Sequence, residues 1–164
     1  QLVAQENNAF GCGYNSDMTE QAPTAHITAA IWHWNVYYQT AIEAAMACEG
    51  DASKFVEKMG GNAYYAGLKE GFVDASPVNE AVAAPNTVAV MDAVRELIKS
   101  GEWDVFTGVK LSYNITDGKV EIVKTDAPLM DNQGSEIVPA GGPSVDDGVI
   151  KGSMNYNVQG VQEG

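Results

Sequence analysis

Positive charge is scarce in this chain. Nine lysines and arginines stand against 22 aspartates and glutamates, a net charge of −13. So acidic a surface repels phosphate backbones and anionic headgroups. No nucleic acid partner is expected, and a membrane is reached only through a lipid anchor. Cysteine is nearly absent. Cys12 and Cys48 offer either one disulfide or two reduced thiols, and both sit in apolar stretches, where reduced core residues are the expectation. Without a CxxC or a Cys/His cluster, no metal is expected. No apolar run approaches the ~18 residues of a membrane-spanning helix. No basic segment leads into an apolar one as a signal peptide requires. A nucleophile elbow (GxSxG) is missing, and Gly11-Cys12-Gly13 lacks the third glycine of a phosphate-cradling loop, so no cofactor is expected.

What remains is ordinary globular composition: 164 residues, 45% hydrophobic and 19% charged, the size of one domain. Residues 1–8 (QLVAQENN) read as the last turns of a helix whose beginning lies upstream. Residues 9–14 (AFGCGY) and 26–30 (HITAA) are short apolar runs bounded by turn residues, which fits buried parallel strands. A helix is expected over residues 34–48, stopped by Gly50. Another is expected over 86–99, where Val90, Met91, Val94, Leu97 and Ile98 form one apolar stripe between Pro85 and Gly101. Residues 103–107 (WDVFT) read as a strand. Asp117-Gly118, between two β-rich runs over 111–124, predicts a hairpin with a type I′ turn. Residues 125–164 are rich in Gly, Asp, Asn and Pro and read as loop with a short strand at Ile137-Val138.

Strands alternating with helices imply βαβ units: an α/β fold with a three-layer, Rossmann-like parallel sheet. In such sheets ligands meet the carboxyl ends of strands, which selects the loops after Tyr14 and after Ala30. In the first loop, Asn15 and Asp17 offer an amide and a carboxylate to a neutral polar ligand; the alternative is that they cap the turn. In the second, Trp32 and Trp34 are two of the three tryptophans, placed at a strand-to-helix junction. Their indoles suit stacking on a flat heterocycle or, equally, packing in the core. A hydrolytic reading would join Asp17 to His33, but nothing in the spacing aligns them on a nucleophile.

The segments GYNSDM, APTAHITAAIWHWNVYY, AYYAGLKEGFVDAS and IKSGEWDVFTG, with VPAGGP and MNYNVQGVQEG near the end, resemble the C-terminal half of the basic membrane protein family. Those proteins are substrate-binding lipoproteins of ABC transporters, and the purine-nucleoside binders are their best-known branch. The resemblance is densest over residues 13–38. It implies one C-terminal lobe of a type I periplasmic binding protein over residues 1–164, with residues 109–127 as an inserted hairpin. It further implies an extracytoplasmic, periplasmic or lipid-anchored protein, an ABC permease as partner, and no enzymatic activity. The family's D-x-D-Q stretch corresponds here to Asn15-Ser16-Asp17-Met18, which keeps only the second acid. Trp32 stands where nucleoside binders place a lysine. The ligand set implied is Asn15, Asp17, Met18, Trp32 and Trp34, for a purine base or nucleoside, with an indole and a carboxylate projecting into one hollow. A structural or interaction domain is the alternative.

Overall fold

The computed structural model describes residues 1–161, which fall into two compact units, one over Gln1–Val88 and one from Ala89 onward. In the first unit, helix α1 (Leu2–Glu6) leads into strand β1 (Gly11–Asn15), which pairs in parallel with β2 (His26–Trp32). Helix α2 (Trp34–Ala47) follows, then α3 (Ala52–Lys58), whose N-terminus is capped by the Asp51 carboxylate accepting from the Ser53 amide at 2.9 Å. Strand β3 (Val73–Ala75) returns antiparallel to the other edge of β2. Beyond it, the Ser76 hydroxyl accepts from the Ala29 amide at 2.9 Å, and the Ala29 carbonyl accepts from the Ser76 amide at 2.8 Å. These bonds extend the pairing past the strand and satisfy a serine that is 2% exposed.

Register within the β1–β2 pair is not uniform. Gly11 opposes His26, but Gly13 opposes Ala29, so β2 carries one extra residue between them. A bulge of this kind shifts every later side chain to the other side of the sheet. His26 and Ala29 therefore share a face, and both lie against Gly13: a Cβ there would sit 3.0 Å from His26 Cε1 and 3.1 Å from Ala29 Cβ. Tyr14, the next residue of β1, faces the opposite side together with Trp32.

The second unit is built from local pairings. Helix α4 (Thr87–Ser100) keeps its apolar stripe half-buried and ends at Gly101, whose φ is 74°. Strands β4 (Val109–Thr116) and β5 (Lys119–Asp126) form an antiparallel ribbon in full register from Val109↔Asp126 to Thr116↔Lys119. Asp117 and Gly118 have φ of 51° and 73°, the paired positive values of a type I′ turn. Strands β6 (Leu129–Met130) and β7 (Glu136–Val138) make a second small antiparallel sheet, and a bridge from Asp131 to Val158 adds the chain's last described segment to it. A single π-helical turn covers Val149–Ser153.

The expected three-layer, Rossmann-like parallel sheet is not formed. Strands fall into sheets of three, two and two, and β1–β2 is the only parallel pair among the described residues. Two physical reasons stand out. A doubly wound sheet needs strands covered on both faces, yet only Ala22, Ala25, Ala29, Ala44, Cys48, Phe72 and Val138 form the buried apolar set, and β1 contributes none of them. The segment after α4, expected as the next parallel strand over residues 103–107, is a turn instead. Its Asp104 carboxylate accepts from the Phe106 amide at 3.2 Å and its carbonyl from the Thr107 hydroxyl at 2.9 Å, so Asp104 gives the backbone a local alternative to a ladder. Cys12 is exposed rather than part of a core, and both cysteines are free.

Gly108 shows where the second unit is tightest. It donates to the Gly142 carbonyl at 3.1 Å and accepts from the Ala127 amide at 2.9 Å and the Gly141 amide at 2.7 Å. A Cβ at this position would lie 1.9 Å from the Pro139 carbonyl oxygen, a backbone atom that cannot swing aside. Gly108→Ala is expected to destabilise this unit by about 3 kcal/mol, read as a lower midpoint in urea with β4–β5 and β6–β7 amides losing exchange protection.

Candidate functional site

Seven rings touch in sequence at the carboxyl ends of β1 and β2. Tyr14 meets Trp32 edge-on at 4.8 Å between centroids, and Trp32 lies nearly parallel to Trp34 at 6.4 Å. Trp34 in turn contacts Tyr37, Tyr38 and Phe72, and Tyr64 bridges Tyr37 and Phe72 at 5.3 Å from each. Edge-to-face and offset pairs such as these contribute about 0.5–1.5 kcal/mol each beyond the area they bury. Half of the cluster is anchored: Phe72 is 6% exposed, and its carbonyl accepts from the His33 amide at 2.8 Å, fixing the junction where β2 becomes α2. The other half faces water, with Tyr14 71%, Trp34 53% and Tyr38 58% exposed. A flat apolar surface on a rigid base can accept a planar ring without reorganising.

The polar residues of the first loop do not join this surface. Asp17 turns to the other face of the strand pair, where its Oδ1 lies 3.4 Å from Nε2 of His26, the ring packed beneath Gly13. The same Nε2 accepts from the Met18 amide at 3.4 Å, while Nδ1 of His26 is buried without a hydrogen-bond partner. Asp17 also accepts from the Thr19 hydroxyl at 2.6 Å and the Thr19 amide at 2.8 Å. The expected hollow shared by an indole and a carboxylate is thus divided by the sheet: Trp32 lies with Tyr14, and Asp17 with His26. The β2 bulge is the cause: His26 and Trp32 are six apart and would share a face in a regular strand, and the extra residue sends Trp32 to the other one. Asn15 closes β1 with φ of 75°, a left-handed conformation that asparagine tolerates and that turns the chain out of the strand. No contact among the described residues links Asp17 to His33, which sits at the N-cap of α2.

Sequence reasoning picked Trp32 and Trp34 but passed over Tyr14, Tyr38 and Phe72. The spacing of Trp34 and Tyr38, four apart on a helix, was the available signal for Tyr38. Tyr14 could be found only by knowing that β1 and β2 are neighbours.

Among the described residues there is no group of three or more His, Cys, Asp or Glu side chains placed to hold a metal ion, and no helix is long and apolar enough to cross a membrane. No family model matches this sequence, and no curated protein does.

The Thr19 hydroxyl, then the Thr19 amide, hold the Asp17 carboxyl below its ordinary value of 3.8; partial burial opposes them, and the His26 ring adds a smaller pull. A carboxyl lowered in the folded state stabilises the fold above its unfolded value, and that contribution disappears as pH falls through the folded value. Thr19→Val should therefore raise the Asp17 value toward 3.8 in a carbon-detected NMR titration. Its destabilisation should be present at pH 6 and fade as the pH falls through the lowered folded value. Because the Asp17 side chain is 42% exposed, the effect on stability is small.

Proposed function

We infer that this chain is the solute-capturing component of an ABC importer and takes a purine base or nucleoside by stacking it on the exposed rings of Tyr14 and Trp34 and the half-buried ring of Trp32. The observation that carries this reading is the ring cluster itself, half anchored on Phe72 and half open, at the carboxyl ends of the one parallel strand pair. The same stretch, residues 13–38, is where the resemblance to the basic membrane protein family is densest. Support for the ligand class is chemical: purines are flat and polarisable, and an indole in place of a lysine favours the base over the ribose. In this reading Asn15 and Met18 line the loop beside the rings. Asp17 acts by ordering that loop through Thr19, and the Met18 amide ties it to His26; the carboxylate does not contact the base. The captured solute is handed to a membrane permease outside the cytoplasmic membrane.

Stacking supplies about 1–3 kcal/mol per base, which corresponds to an affinity of roughly 10 mM or weaker. Adenosine is expected to quench the tryptophan fluorescence of this 164-residue chain saturably in that range. Trp34→Ala should weaken binding about fivefold or more, and ribose should not compete. Micromolar affinity, or binding indifferent to Trp34→Ala, contradicts the stacking account.

One observation favours a second reading, an interaction domain. Trp34, Tyr38, Ile42 and Met46 fall four apart along α2 and are 53%, 58%, 59% and 80% exposed, a continuous apolar stripe. Sedimentation velocity separates the two readings. If the stripe is an interface between copies, association rises with concentration and Ile42→Lys abolishes it, while adenosine leaves it unchanged.

A further inference from the structure

The second unit carries a pocket that the ligand reading above does not use. It has a volume of about 350 Å3 and is walled by Phe106, Pro128, Leu129, Met130, Lys110 and Gln159, together with two valines. That volume is equivalent to about a dozen waters and falls at the small end of ligand pockets.

Hydrogen bonds fix its walls and the residues beside them. The Phe106 carbonyl accepts from the Val145 amide at 3.0 Å, the Met130 carbonyl from the Gln159 amide at 2.9 Å, and the Val109 carbonyl from Trp103 Nε1 at 2.8 Å. Four separate stretches of chain are thereby held in place, so the pocket is preformed.

Its single charge is unusual for so acidic a chain. Lys110 is exposed, and among the described residues its ammonium has neither an ion-pair nor a hydrogen-bond partner. The two acids next in sequence to the pocket walls are already engaged. Asp104 accepts from the Phe106 amide at 3.2 Å, and Asp131 Oδ1 accepts from the Gln133 and Ser135 amides at 2.9 and 2.7 Å. Neither acid is among the residues that line the pocket, so the lysine is the one charge on its wall. A lysine beside an apolar wall lays its stem along that wall and keeps its ammonium at the rim. Such a pairing suits an amphipathic anion: an apolar body inside, a carboxylate at the mouth.

We propose that this pocket binds a small aryl or branched-alkyl carboxylate, its body against Phe106, Leu129 and Met130 and its carboxylate on Lys110. The full chain is titrated with 4-phenylbutyrate and with its neutral amide, followed by amide NMR shifts and calorimetry. Saturable shifts at Phe106, Leu129 and Met130 are expected, with a Kd in roughly the millimolar range. Lys110→Met and Lys110→Gln should each weaken the carboxylate about three- to tenfold, while Lys110→Arg retains it. The amide should bind as weakly to the parent chain as the carboxylate does to Lys110→Met. Because Lys110 is exposed, the melting temperatures of these variants should match that of the parent, so loss of binding is separable from loss of fold. The proposal is overturned if no saturable shifts appear at those residues, if shifts fall elsewhere, or if acid and amide bind alike. The outcome is independent of adenosine binding, which is read at the rings of the first unit.

Discussion

The extra residue in β2 between His26 and Ala29 decides more than any other local feature of the first unit. By resetting the alternation of side chains, it brings Ala29 beside His26 under Gly13 and sends Trp32 to the far side with Tyr14. From that one irregularity follow the anchoring of the Asp17 loop, the ring cluster at the strand ends, and the separation between them. Gly13 belongs to the same constraint. A side chain at that position would press on the His26 ring, and with it on the turn that Asp17, Met18 and Thr19 make above it.

Parts of this architecture were legible in the sequence because they depend on local rules. The turn at Asp117-Gly118 requires two positive φ values, and few residue pairs accept them; the hairpin accordingly appears where expected, over Val109–Thr116 and Lys119–Asp126. Helix α4 carries its apolar residues at helical spacing and has a glycine at its end, so its bounds came out within a residue. Helix α2 was placed as well, but the exposure of its apolar stripe was not legible. Whether an apolar face is covered depends on what folds against it, and residues 34–47 do not encode that.

The fold class was not legible, for a reason of the same kind. Short apolar runs are consistent with parallel strands, but pairing partners are set by long-range contacts. The WDVFT segment has the composition of a strand, yet one aspartate side chain turned its backbone into a local loop. Likewise, composition alone could point to Trp32 and Trp34 as ring donors. That Asp17 would lie across the sheet from them depended on a bulge with no sequence signature. The one lysine on the wall of the second unit's pocket was equally hidden, since its neighbours there come from stretches far apart in sequence.

Cys12 adds a practical consequence. It is free and exposed on β1, two positions before Tyr14, so its thiol projects on the same side of the strand as the ring cluster. Cys48, by contrast, is 9% exposed, and its sulfur donates to the Ala45 carbonyl. A thiol-directed fluorophore or spin label would therefore react selectively at one position, beside the aromatic surface, in the unmodified sequence. The molecule thus comes with its own attachment point for an optical or magnetic reporter of whatever settles on those rings.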